Sequence, residues 1–134
     1  MSYLLDTDTC SYIMRSRAGP LWDRLDELPE QSAAISVITL GEPQFGATLK
    51  PLATHIATQL EKLLRCLPVL PLSPDSCVHY ARIRSDLQLK GTPIGPNDLW
   101  IAAHALTYKL TLVTHNIREF ARVKGLKLEN WVTA

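Results

Sequence analysis

Short apolar runs alternate with amphipathic stretches along the whole sequence, and this alternation restricts the fold more than any other feature. Tyr3-Leu4-Leu5, residues 33–36, 67–71, 110–114 and 126–131 read as short extended segments. Between them the apolar residues recur at helical spacing. Residues 21–28 carry Leu21, Trp22, Leu25 and Leu28 on one side and Asp23, Arg24, Asp26 and Glu27 on the other, with Pro20 placed for a first turn. Ser36 is placed to cap a helix running from Val37 to about Leu49, and residues 51–65 form a third amphipathic stretch. Residues 73–89 predict the longest helix, with Cys77, Tyr80, Ala81, Ile83 and Leu87 inward. Residues 97–108 predict a buried helix and 117–123 a short one. The two prolines in 67–71 put that strand at a sheet edge or leave it only partly paired.

Strands this short and apolar must be covered on both faces. The expectation is therefore an α/β fold, a three-layer sandwich with a mainly parallel sheet, in one domain over residues 1–134. No apolar run approaches the ~18 residues that cross a bilayer, and Asp6 interrupts the start of a signal-peptide core. Three cysteines without paired spacing fit a reducing, cytoplasmic setting rather than a disulfide framework. A net charge of +1 excludes an obvious polybasic binder of nucleic acid or membrane.

Ligands of such sheets bind beyond the carboxyl ends of the strands. Asp6 ends the first strand, Thr114 and Asn116 end another, Glu42 lies in the second turn after Ser36, and Asp98 opens a helix. Each alone has a bland explanation: Asp98 as a partner for the helix dipole, Asp6 and Asp8 as turn formers. Three carboxylates converging on one edge would repel one another without a cation among them. Hard oxygen donors with few histidines select Mg2+, with Mn2+ as substitute. The four histidines show no zinc spacing. Trp22, Trp100 and Trp131 are expected to pack in cores or an interface.

Four pieces follow one another in order: Leu4-Leu5-Asp6-Thr7-Asp8; Thr39-Leu40-Gly41-Glu42 with Phe45-Gly46-Ala47; Pro93-Ile94-Gly95-Pro96-Asn97-Asp98 with Ile101-Ala102-Ala103; and Leu112-Val113-Thr114-His115-Asn116 with Glu119-Phe120. Together with the ending Gly125-Leu126 and Glu129-Asn130-Trp131, this series resembles the PIN-domain ribonucleases, and among them the VapC-type toxins. The resemblance covers essentially the whole chain. It implies a Mg2+-dependent endoribonuclease acting on structured RNA, often transfer RNA, and neutralised by a VapB-type antitoxin. It also implies a homodimer.

Carried over residue by residue, the resemblance makes Asp6, Glu42 and Asp98 metal-binding carboxylates. Asn116 stands where many relatives have a fourth acid, and Thr114 matches the supporting hydroxyl. Glu42 either ligates the ion or orients the attacking water. Pro43 departs from the pattern, since it has no N–H for the Thr39 carbonyl. The neutral amide of Asn116 leaves one charge fewer, which bears on whether one metal or two would bind. With the three acids set apart, ten acidic residues face 14 basic ones. Arg15, Arg17, Arg82, Arg84, Arg122, Lys124 and Lys127 are then candidates for phosphate contact, and Arg118 is the strongest. Two alternatives remain. Asp6-Thr7-Asp8-Thr9-Cys10 nearly matches a haloacid-dehalogenase phosphatase, with Asp6 as nucleophile and Asp8 as acid/base. The other is a degenerate domain that only binds RNA or protein.

Overall fold

The computed structural model describes residues 1–16, 19–49 and 53–132. Arg17 and the start of the 51–65 stretch lie outside the described residues. The elements run β1 (Tyr3–Leu5), α1 (Thr7–Arg15), α2 (Pro20–Glu27), β2 (Ala33–Ser36), α3 (Val37–Gly46), α4 (Ala53–Cys66) and β3 (Val69–Leu70). They continue with α5 (Pro74–Leu89), α6 (Pro96–Thr107), β4 (Thr111–Val113), α7 (Ile117–Phe120) and β5 (Leu128–Glu129). The five strands form one sheet in the order β3-β2-β1-β4-β5, and every pairing is parallel. The proline-flanked β3 is an edge strand, as its missing donors require.

Alternation along each strand divides the core in two. Leu4, Ala34 and Leu112 point to one face, where α5, α6 and α7 supply Ile83, Leu87, Leu99, Ile101 and Phe120. Leu5, Ile35 and Val113 point to the other, against Cys10 and Ile13 of α1, Trp22 and Leu25 of α2, and Leu63 of α4. This is the expected three-layer sandwich. Trp22 and Trp131 are buried, and Trp100 stacks on Tyr80 with ring centroids 3.9 Å apart. All three cysteines are free thiols.

The inward face of α5 differs from the periodic reading. Ser76, Ile83 and Leu87 are buried, whereas Cys77 and Ala81 are exposed. The contact stripe is set by packing on α6 and is rotated from the one hydrophobicity suggests, so a small polar residue lies inside and a thiol outside. Helix α3 stops at Gly46, where the Thr48 hydroxyl donates to the Phe45 carbonyl and the chain turns.

The register places the functional edge. Leu5 pairs with Ile35 on one side and with Val113 on the other. The next residue of each strand, Ser36, Asp6 and Thr114, therefore stands in one row at the carboxyl end. All three are buried.

Candidate active site

Asp6 leaves β1 and caps α1: its Oδ1 accepts the Thr9 N–H at 2.8 Å. Its Oδ2 accepts the Thr114 hydroxyl at 2.6 Å, across the strand pair that the register aligns. The turn-former explanation thus holds for one oxygen only. Asp6 is 2% exposed, and burial raises its pKa above the ordinary value against the opposing pull of these hydrogen bonds. Thr114 Oγ1 also accepts the Asn116 N–H at 2.9 Å, tying the start of α7 to the same point.

Asp98 lies in the first turn of α6, half-buried, while the cap position belongs to Gly95 without a side-chain bond. Its carboxyl is pushed up to about 7, first by burial and then by Glu119, with Asp6 and Asp8 adding repulsion. Among the charged neighbours Glu119 opposes ionisation of Asp98 most strongly, ahead of Asp6 and Asp8. Glu119 in turn accepts from the Asn116 side-chain amide and, at 3.4 Å, from the Gly95 N–H.

Glu119 is the residue that reading the sequence for site acids misses. Its signal was present: Asn116 and Glu119 have the N-cap and N3 spacing of a capping box. The structure thus brings together Asp6, Thr114, Asn116, Glu119 and Asp98. Glu42, on α3, is exposed and makes no hydrogen bond or ion pair among the described residues. Arg118 and His115 are exposed beside Asn116. Asp8 is exposed in the first turn of α1.

The donor set fits a hard divalent cation. Among the described residues the hydrogen-bond partners of Asp6 and Glu119 are a hydroxyl, a side-chain amide and backbone N–H groups, and no salt bridge joins Asp6, Asp98 or Glu119 to a cationic side chain. Among the described residues no three His, Cys, Asp or Glu side chains form a ready-made ligand group. Mg2+ retains several of its waters and needs few direct carboxylates, so it suits such an open arrangement.

The PIN domain family model matches residues 3–126. The chain is 37% identical over 132 residues to Ribonuclease VapC2 of Rickettsia felis, covering 98% of each chain. It is 34% identical to the tRNA(fMet)-specific endonuclease VapC of Salmonella typhimurium, again covering 98% of each. Its fold is similar to that in the crystal structure of VapBC2 from Rickettsia felis bound to a promoter DNA fragment. There the TM-score is 0.89, the identity 35%, and the coverage 98% of this chain and 99% of that one. These likenesses do not support the phosphatase alternative or the degenerate one.

Proposed function

The chain belongs to the PIN-domain family, among its VapC ribonucleases, and on that premise we propose that it is a Mg2+-dependent endoribonuclease toxin that cuts structured RNA. Transfer RNA is the proposed substrate class, in keeping with the name of the Salmonella relative. The observation that supports the reading best is the gathering of buried Asp6, half-buried Asp98 and Glu119 at one sheet edge, where their mutual repulsion raises the Asp98 carboxyl. An edge whose carboxyls repel one another in this way is suited to take up a cation.

Asp6 and Asp98 would hold the ion, and Glu42 would either join them or orient the attacking water. Bound there, Mg2+ supplies Lewis acidity toward the phosphoryl group and a more acidic water. Thr114 keeps one oxygen of Asp6 fixed by its hydroxyl, so the carboxylate loses little freedom when it engages. The Asn116 amide holds Glu119, and Glu119 opposes ionisation of Asp98. Exposed Arg118 is positioned to meet a backbone phosphate.

A VapB-type antitoxin is the proposed partner, since structures similar to this chain are VapBC complexes. A homodimer is the proposed assembly. No helix among the described residues is long and apolar enough to cross a membrane. Incubating the purified protein with total RNA and Mg2+, then mapping new ends, tests the activity. The expectation is discrete cuts that Asp6→Ala and Asp98→Ala abolish. Undiminished cutting by either variant would remove the acidic edge from the mechanism.

A further inference from the structure

Ser36 and His104 are both fully buried, and they meet across 68 positions of sequence with Oγ and Nδ1 2.8 Å apart. Ser36 is also the cap of α3, its Oγ accepting the Ile38 N–H at 3.1 Å. His104 sits in α6 among Ile101, Ala103 and Ala105, all without exposure. A polar pair in such surroundings carries a desolvation cost that an aliphatic residue would avoid.

Burial lowers the imidazole below its ordinary 6.5, so the ring is neutral near pH 7. Its Nε2 is buried without a hydrogen-bond partner among the described residues, and the backbone of Pro71 opposes part of the lowering. The Ser36 oxygen accepts the Ile38 N–H and at the same time lies at hydrogen-bond distance from Nδ1.

The two helices joined in this way each carry a site acid. Glu42 is six residues after Ser36 and Asp98 six before His104, about 9 Å along each axis. No side-chain bond fixes Glu42, so its place follows the backbone of α3. Pro43 weakens that backbone by leaving the Thr39 carbonyl without its helical donor. A second tether exists at Thr39, whose Oγ1 lies 3.3 Å from that of Thr7, next to Asp6.

We propose that the Ser36–His104 hydrogen bond is a strut that fixes α3 against α6 and so sets the place of Glu42 relative to Asp98. Both are positioning residues, and the proposal rests on reading the acidic edge as a nuclease site. The amide of asparagine reaches the place of Nδ1, whereas that of glutamine reaches the place of Nε2.

Comparing His104→Asn with His104→Gln therefore separates the strut from polarity in general. The metal-free proteins are followed by amide hydrogen exchange, and the Mg2+-loaded ones by kcat and KM on RNA. In His104→Gln, amides between 40 and 46 should exchange about 10-fold faster than in the wild type, with those of α5 unchanged. Its kcat should fall about 10-fold at constant KM. His104→Asn should resemble the wild type in both. Should His104→Gln not fold, His104→Leu fills the core without the bond and carries the same expectation. Equal α3 exchange in the wild type and the disrupting variant overturns the strut, as does equal loss in His104→Asn. A wild type that cuts no RNA overturns the reading of the site instead, and exchange then decides the strut alone.

Discussion

Thr114 serves the site twice with one oxygen, donating to Asp6 and accepting from the backbone of Asn116. Thr114→Val keeps the shape and removes both bonds, leaving a buried carboxylate with one partner fewer. The expected cost is about 1–2 kcal/mol in denaturant unfolding and about 10-fold in kcat. Thr114→Ser should retain most of both. A fully active valine variant would reduce Thr114 to a packing residue.

Asp98 gives a second expectation at the same scale. Its carboxyl is raised from 3.8 to about 7 in the folded chain, so the fold binds more protons than the unfolded chain between those values. Its contribution to metal-free stability is therefore lost as pH rises from about 4 to about 7. In EDTA, wild-type melting temperature should fall across that window relative to Asp98→Asn. Parallel curves for the two proteins would contradict the shift.

Among the elements, α3 departs most from what its sequence would make alone. It carries Pro43 in its interior and remains helical from Val37 to Gly46, capped by Ser36 and packed through buried Thr39. Tertiary contacts override a residue that costs about 3 kcal/mol in an isolated helix. Pro43→Ala restores the donor to the Thr39 carbonyl, and unfolding should become harder by about 1 kcal/mol or more. No gain in an urea titration would mean that the helix has already accommodated the missing bond. α5 shows the opposite limit: its helical period was legible, but Cys77 and Ala81 were misplaced because the packing of α6, not hydrophobicity, sets its buried stripe.

For the molecule as a whole, the central sheet was legible because β1, β2 and β4 are short apolar runs that lead into a polar residue, Asp6, Ser36 and Thr114. Asp6 and Thr114 could be placed at one edge for the same reason, and the register supports that placement. The charge coupling was not legible. Glu119 meets Asp98 only through the fold, 21 positions away. Glu42 was legible as an acid near the edge, but its exposure was not. The buried Ser36–His104 contact needed both β2 and α6 in place before it could be seen.

The central claim is that the acidic edge is held short of a cation in the folded chain. Asp98→Asn deletes one charge from a half-exposed, solvent-screened group, which should stabilise the metal-free fold by about 1 kcal/mol, or about 3 °C in melting temperature. The wild type should gain stability in millimolar Mg2+ by mass action, and the variant should lose most of that gain. Thermal melts of both proteins at pH 7.5, in EDTA and in Mg2+, make the comparison in one experiment. A variant that melts higher in EDTA and ignores Mg2+ is the predicted result. A variant that melts lower in EDTA yet responds to Mg2+ like the wild type would make Asp98 a structural helix-start residue and contradict the claim.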